Sequence, residues 1–163
     1  MGAMWKSLVL AVGVAACGGS NAADVDAPSG GSGNVDAAGP TCRPKSTTTL
    51  SDGHHNPGQD CMGSCHNHGF TAAGTLFTAA SSSTPVTAAT ITVVDAAGHS
   101  VDLVTQQNGN FYTSVALTYP ITVYASSCPT LVSMTSTINS TTKAGCNQGG
   151  TCHGGTEGKI HLP

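Results

Sequence analysis

Cysteine and histidine, the residue types best suited to hold a metal or a haem, are concentrated in two short stretches of this chain. The first stretch, residues 54–68, contains four of the seven histidines and two of the seven cysteines. Its centre reads Cys61-x-x-x-Cys65-His66. A c-type haem is attached through two thiols, followed directly by a histidine that ligates the iron, usually with two residues between the cysteines. The stretch therefore predicts haem attachment with one extra residue in the loop, which Gly63 gives the backbone freedom to absorb.

A second version of this motif lies further along the chain. Cys146 and Cys152 are separated by five residues, His153 follows directly, and His161 comes eight residues later. The spacing departs further from the usual haem motif, although two adjacent glycines inside it make a bulged loop feasible. The two motifs together predict a paired arrangement in which each end carries two thiols and at least one additional histidine.

Three kinds of chemistry fit these motifs, and the sequence leaves all three open. The first is haem attachment, and the second is a pair of local disulfides, Cys61–Cys65 and Cys146–Cys152, as expected in an oxidising compartment. The third is a bare zinc or copper ion held by thiolate and imidazole. The candidate metal ligands are His54, His55, His66, His68, His153 and His161, and the candidate thiol attachments are Cys61, Cys65, Cys146 and Cys152.

The first sixteen residues predict export. Met1–Ala16 contains Lys6 and then an apolar run that is too short to span a bilayer. The run ends in small residues before Cys17, a pattern that resembles the lipobox of bacterial lipoproteins. The resemblance implies that Cys17 is acylated and that the acyl chains attach the protein to a membrane of the cell envelope. The residue after Cys17 is not aspartate, which favours the outer membrane over the inner.

Residues 17–41 are rich in glycine, serine and alanine, and they predict a flexible tether. Lipidation of Cys17 would leave six of the seven cysteines. If both motifs attach haem, Cys42 and Cys128 remain as one natural disulfide. Without haem many pairings are possible, and parity alone does not choose among them.

Residues 69–142 predict β-structure. Runs rich in threonine and valine alternate with turn signals such as Asp95–Gly98 and Asn108-Gly109, and no helical period is present. We expect an all-β, antiparallel sandwich with irregular Cys/His-rich flanks at residues 42–68 and 143–163. The predicted strand runs are Phe70–Thr78, Pro85–Val94, Val101–Thr105, Phe111–Val115, Tyr119–Ser126 and Leu131–Thr137.

The same residues resemble the transthyretin-like, carboxypeptidase-regulatory-like module. The likeness lies in Gly74–Phe77, Pro85–Val93, Asp95–Gly98 and Asn108–Tyr112. It implies a seven-stranded Ig/transthyretin-like sandwich and no activity of its own. His99 falls in a turn of this module, where a solvated residue is expected.

Most of the chain beyond the tether is similar to a group of bacterial cytochrome-type lipoproteins, in which haem motifs flank a β-sandwich. The likeness lies in His55–Asp60 with Cys61–His66, Gly69–Thr75, Gly145–Asn147 with Cys152–Gly154, and Gly158–Pro163. It implies that His66 and His153 are proximal ligands, with His55 or His54 and His161 as candidates for the sixth position. We also expect the two ends of the chain to lie close together.

The composition narrows the function further. The formal net charge is −3, only 8% of residues are charged, and no basic patch is present, so nucleic acid is excluded as an expected partner. No residue pattern typical of a hydrolase or a phosphate-binding enzyme occurs, so we do not expect catalysis. The leading hypothesis is a membrane-anchored electron carrier with one or two c-type haems and protein redox partners. The alternative is a disulfide-stapled β-sandwich lipoprotein that acts as a binding or adhesion module without a cofactor.

Overall fold

The structure is a computed structural model that describes residues 40–63, 68–147, 153 and 158–163. The described part is all-β apart from one short 3-10 turn at Thr141–Lys143. The six strands are β1 (Ala72–Thr75), β2 (Thr90–Val94), β3 (Ser100–Val104), β4 (Asn110–Thr113), β5 (Thr122–Ser127) and β6 (Thr130–Ser133). Each predicted run overlaps one strand, so the all-β prediction is confirmed. None of the described helical segments is long and apolar enough to cross a membrane.

The strands form two antiparallel sheets. One sheet pairs β1 with β4, and the other has the order β3-β2-β5-β6. The antiparallel prediction is therefore confirmed, while the described residues contain six strands and not the seven that the family resemblance implies. Both sheets contribute to one hydrophobic core, whose largest fully buried side chains include Leu76, Ile91, Val93, Phe111 and Ile121.

Alternation along β5 follows the sequence pattern. Val123 and Ala125 are buried, while Thr122 and Tyr124 are only partly covered. Strand β2 differs, because Thr90 and Thr92 are buried as well as Ile91 and Val93. It lies between two neighbours, and the Thr92 hydroxyl donates to a carboxylate oxygen of Asp102 at 2.6 Å, which satisfies that hydroxyl.

The turn predicted at Asp95–Gly98 joins β2 to β3. The buried Asp95 carboxylate accepts hydrogen bonds from the backbone N–H groups of Ala97, His99 and Thr118. Burial by itself acts to raise the pKa of Asp95, but these N–H groups and the His99 ring together lower it below its ordinary value. The His99 side chain is 77% exposed, as expected of a solvated turn residue, and its Nδ1 lies 3.3 Å from Asp95 Oδ2.

The Asn108-Gly109 turn is present, but it does not join neighbouring strands of one sheet. Gly109 has φ +78° and its N–H donates to the Gln106 carbonyl. A hairpin signal predicts that the flanking strands pair with each other. Here β3 belongs to the four-stranded sheet and β4 to the two-stranded one, so the turn carries the chain between sheets.

Cys42 and Cys128 form a disulfide across 86 positions of sequence, which is the pairing predicted for the haem-bearing case. The bond fixes the segment before the first Cys/His stretch against the hairpin between β5 and β6. The Arg43 carbonyl accepts a hydrogen bond from the Cys128 N–H, and the Arg43 side chain forms an ion pair of 3.1 Å with Asp102. The chain is thereby anchored to the four-stranded sheet before it reaches residue 54.

Candidate functional site

Cys146 is built onto strand β1. Its N–H donates to the Ala73 carbonyl at 2.8 Å, and the Ala73 N–H donates to the Ala144 carbonyl at 3.1 Å. Residues 144–146 therefore run parallel to β1 and extend its sheet, with a bridge between Ala73 and Gly145. Cys146 is only 4% exposed, because the fold packs it against the core.

A second segment is added in the same way just beyond β1. Phe77 donates its N–H to the Ile160 carbonyl and accepts from the Leu162 N–H, so residues 160–162 lie parallel to it. Lys159 places its Nζ 4.5 Å from the centre of the Phe77 ring, which adds a cation–π contact. This strand addition gives His161 a defined backbone position.

The imidazoles of His153 and His161 are oriented by backbone carbonyls. His153 Nδ1 lies 3.2 Å from the Gly158 carbonyl oxygen, and His161 Nδ1 lies 3.0 Å from the Lys159 carbonyl oxygen. A carbonyl oxygen can only accept, so in each ring Nδ1 carries the hydrogen and the Nε2 lone pair stays available in the neutral form. Histidines that ligate metals are commonly oriented in this way.

Cys146, His153 and His161 line one cavity of about 380 Å³, and we call these three residues and this cavity the second site. Most of the remaining lining is apolar, as is typical of cofactor cavities. It includes Phe111, Val123, Val132, Met134 and Ile160. Tyr119 also lies near Cys146. The pKa of its phenol is raised mainly by burial and secondly by the charge of a Cys146 thiolate.

Cys61 lies on a tight turn with no strand to support it. Gly58 has φ +82°, and the Asp60 carboxylate accepts a hydrogen bond from the Met62 N–H at 3.0 Å, so Asp60 is a turn residue. Cys61 is half-buried and forms no disulfide with any other described cysteine. Burial, and next the Asp60 carboxylate, raise the pKa of its thiol, which disfavours the thiolate that a bare metal ion requires.

Rings are stacked beside Cys61. His68 lies parallel to Phe70 with centroids 5.0 Å apart, and Phe70 lies nearly parallel to Tyr112 at 4.8 Å. His54 meets the edge of this stack, with its centroid 4.7 Å from that of Tyr112. Such pairs stabilise each other beyond the area that they bury.

These rings and Cys61 surround a cavity of about 290 Å³, and we call Cys61, His54, His55, His68 and this cavity the first site. His55 lines it beside His54, and its ring centroid is 6.1 Å from that of His68. Polar side chains complete the lining: Asn56, Gln59, Asp60 and Asn110. The described cysteine and histidines of each motif therefore line a separate cavity.

A buried polar network, which the sequence analysis missed, connects the two sites. Thr75 Oγ1 accepts from the Gly58 N–H at 2.7 Å and donates to Asn110 Oδ1 at 2.6 Å. The Thr75 N–H donates to Asn147 Oδ1 at 2.6 Å, and Asn110 Nδ2 donates to the His54 carbonyl at 2.8 Å. Thr75, Asn110 and Asn147 are 0%, 1% and 4% exposed. Only the unusual number of amides beside the motifs could have indicated this network, and its partners are distant in sequence.

The two sites also touch directly. A Cβ added at Gly145 would collide with Asp60 Oδ1 and lie 3.3 Å from Met62 Cβ. Gly145 precedes the cysteine of the second site, and Asp60 precedes that of the first. The described residues beside Cys61 and Cys146 therefore lie against each other.

Several predicted site residues lie outside the described part of the chain. They are Cys17, Cys65, His66 and Cys152. The zinc alternative at Cys61, Cys65, His66 and His68 depends on two of them and stays a prediction. Within residues 40–63, 68–147, 153 and 158–163, no group of three or more His, Cys, Asp or Glu residues is placed to hold a metal ion.

Comparison of the chain with protein-family models, with curated proteins and with solved structures found no significant match. The function is therefore inferred from the residues and the geometry of the two sites.

Proposed function

We propose that this protein is a membrane-anchored electron carrier with two c-type haems, one at each site. The observation that carries the proposal is the second site, where a buried cysteine and two imidazoles with oriented Nδ1–H groups line one largely apolar cavity. Thiol, imidazole and apolar lining are the donor set and surroundings that a covalent haem uses. Bound haem would supply reversible one-electron transfer at its iron.

At the second site, Cys146 and Cys152 would form the two thioether bonds and His153 would be the proximal ligand. His161 lines the same cavity as His153, which supports its assignment as the sixth ligand there. Two imidazoles would leave no open position for a substrate, so the residues favour electron transfer over catalysis.

At the first site, Cys61 and Cys65 would attach the haem and His66 would be its proximal ligand. The sixth ligand would come from His54, His55 or His68, which line the same cavity as Cys61. Because separate histidines serve each cavity, the sites need not share ligands. Phe70 and Tyr112 would cover one side of the bound group and exclude water from it.

The remaining parts of the proposal concern the fold and the location. We propose a seven-stranded transthyretin-like sandwich of the cytochrome-type lipoprotein group, held by acyl chains on Cys17 at the outer membrane. Residues 17–41 would be the tether between the membrane and the sheets. The two described antiparallel sheets with a shared core support the sandwich part of this proposal.

The decisive experiment is expression with a cytochrome c maturation system, followed by haem staining and intact-mass measurement. We expect a mass increment of two haems, and the loss of one in each of the double variants Cys61→Ala/Cys65→Ala and Cys146→Ala/Cys152→Ala, because one remaining thiol could still hold a haem covalently. The matched control replaces Cys42 and Cys128 by serine, which removes two cysteines outside both motifs. The variant should be less stable, because it lacks the disulfide, but its mass increment should still be that of two haems. A colourless protein with the mass of the oxidised polypeptide would exclude electron transfer by haem.

The ligand assignment has its own test. His161→Ala should change the visible spectrum and leave the haem covalently attached, because only the thioethers hold it. His99→Ala removes an exposed histidine outside both sites and should change nothing. An unchanged spectrum in the His161 variant would show that another group ligates the second haem.

A second candidate function is a binding module without cofactor. The observation that favours it is the ring stack of His68, Phe70 and Tyr112 beside the amides and carboxylate of the first site. Flat rings edged by hydrogen-bonding groups suit a saccharide. Binding of glycans by colourless protein, lost in Tyr112→Ala and kept in Tyr124→Ala, would support this candidate over the first.

A further inference from the structure

The two cavities differ in the charge and polarity of their linings. The first site contains the Asp60 carboxylate, and other polar side chains lie beside it: Asn56, Gln59, Asn110 and Tyr112. Among the described residues, none that lines the second site carries a carboxylate. Apart from its cysteine and histidines, that lining is apolar except for three hydroxyl groups, those of Ser133, Thr135 and Ser136.

The negative charge of Asp60 has no basic side chain beside it in the first site. No Lys or Arg occurs in residues 46–142, a range that includes every described residue lining the first cavity. The carboxylate accepts a hydrogen bond from the Met62 N–H at 3.0 Å, and that bond leaves its charge in place. A positive charge that forms inside the first cavity is therefore attracted to Asp60.

A length of backbone separates Asp60 from the second site. A Cβ added at Gly145 would collide with Asp60 Oδ1, so residue 145 faces Asp60. Successive residues of an extended segment face opposite sides, and Cys146 accordingly faces away from Asp60. Its Cβ would lie 2.8 Å from a Cβ added at Gly74, and it lines the second cavity. The charge of Asp60 should therefore act on the first cavity more than on the second.

We propose that Asp60 keeps the haem of the first site at a lower reduction potential than the haem of the second, so that electrons pass from the first site to the second. This inference rests on the proposed function, in which each iron has two imidazole ligands. The ligands then do not distinguish the two irons, and the surroundings do. Oxidation of a haem adds one positive charge. Asp60 stabilises that charge at the first site, whereas the apolar lining of the second site disfavours it.

The transfer between the sites moves one electron and changes no covalent bond. The iron at the first site is oxidised from Fe(II) to Fe(III), and the iron at the second site is reduced from Fe(III) to Fe(II). No proton and no external oxidant or reductant takes part in this step. In protein that holds one electron for every two haems, the electron should therefore reside mostly at the second site.

Spectroelectrochemical titration of the haem-loaded protein measures the two reduction potentials. The double variants that keep a single haem assign them to the sites. Cys146→Ala/Cys152→Ala keeps only the first haem and should titrate at the lower potential. Cys61→Ala/Cys65→Ala keeps only the second haem and should titrate at the higher one.

Asp60→Asn tests the role of the carboxylate, because asparagine can still accept the Met62 N–H. The lower potential should rise, and the electron should shift toward the first site by about tenfold, which is about 59 mV for a one-electron couple. The higher potential should stay nearly unchanged. Asp102→Asn is the matched control, since it removes the same charge at a residue that lines neither cavity. It should move neither potential appreciably.

The opposite change can be made at the second site. Ser136 is exposed and lines the second cavity, so Ser136→Asp introduces a carboxylate there with little demand on packing. It should lower the higher potential and narrow the gap between the two haems. Ser136→Asn adds a side chain of the same size without the charge and should leave the gap as it was. Thermal unfolding shows whether each variant is folded.

The outcomes separate this inference from the proposed function. A protein that takes up no haem would overturn both. Two haems with equal potentials, or with the first above the second, would overturn the inference alone. So would an Asp60→Asn variant whose lower potential does not rise, or one that moves both potentials equally.

Discussion

The two Cys/His sites are held by different interactions. At the second site, main-chain hydrogen bonds attach Cys146 to β1 and residues 160–162 to Phe77, and carbonyls orient both imidazoles. At the first site, Cys61 lies on a turn, and ring stacking holds His54 and His68. Strand addition fixes a backbone position, whereas stacking fixes a ring only relative to its neighbours.

Two similar sequence motifs are therefore held to different degrees by the same fold. Main-chain hydrogen bonds hold Cys146 and His161 of the second site, so these two residues should move little when their surroundings change. The first site is supported by side chains and one buried network, so it should respond more to changes in its surroundings. Selective perturbations can test this contrast.

The largest effect is expected from removal of the disulfide. Replacement of Cys42 and Cys128 by serine should lower the free energy of unfolding by about 2–5 kcal/mol, because the bond closes a long loop. Urea titration measures the change. Amide exchange should show greater loss of protection at residues 54–63 than at 144–147, since the bond anchors the segment that precedes the first site. Equal loss of amide protection in the two segments would contradict the expected difference between the sites.

Gly74→Ala should damage the second site. A Cβ at residue 74 would lie 2.7 Å from Phe111 Cζ and 2.8 Å from Cys146 Cβ, which is closer than such atoms approach. We expect a loss of about 1–3 kcal/mol from overpacking, together with displacement of Cys146. Gly98→Ala, where no atom lies within 4 Å of the added Cβ, controls for backbone strain alone. Equal effects on Cys146 in both variants would refute the crowding argument.

Thr75→Val should affect the first site more than the second. The change keeps the shape but leaves the Gly58 N–H and Asn110 Oδ1 without their partner, at a cost of about 1–3 kcal/mol. The Thr75 N–H to Asn147 survives, because it belongs to the backbone. Chemical shifts of His54 and Asn147 measure the asymmetry. Thr75→Ser keeps the hydroxyl and is the control, and a serine variant as unstable as the valine variant would argue against the network.

A change at Asp95 should have the smallest effect on the difference between the two sites. Asp95 lies in the turn between β2 and β3 and lines neither cavity. Its pKa is lowered in the folded protein, so its contribution to stability is present at neutral pH. That contribution should be lost as the pH falls below about 4, because the unfolded chain binds the proton first. Thermal unfolding between about pH 3 and pH 7 should show this slope, and Asp95→Asn should reduce it without distinguishing the two sites.

The sequence predicted those features that depend on short-range pattern. The run Tyr119–Ser126 located β5, and Asp95–Gly98 located a turn, because side-chain period and turn chemistry act within a few residues. Parity paired Cys42 with Cys128 only under the haem hypothesis. The sequence did not show that β3 and β4 belong to different sheets, because the Asn108-Gly109 turn has the same sequence whether or not its flanking strands pair.

The sequence identified the Cys and His residues of the candidate sites, but not the residues that surround them. The motifs identified Cys61, Cys146, His153 and His161, whereas the ring stack and the cavity lining come from segments far apart in sequence. Strand addition of residues 160–162 beside Phe77 could not be predicted, since an extended segment carries no mark of its partner. Such long-range choices are decided by packing of the whole core.

The buried side chains of Thr75, Asn110 and Asn147 have a consequence for protein engineering. The same buried hydrogen-bond network supports both sites. Neither site can therefore be moved onto another scaffold as a single loop. A designer who moves the first site would have to carry β1 and Asn110 with it, and Asn147 to satisfy the Thr75 N–H. The portable unit is therefore the pair of sites together with the strand between them.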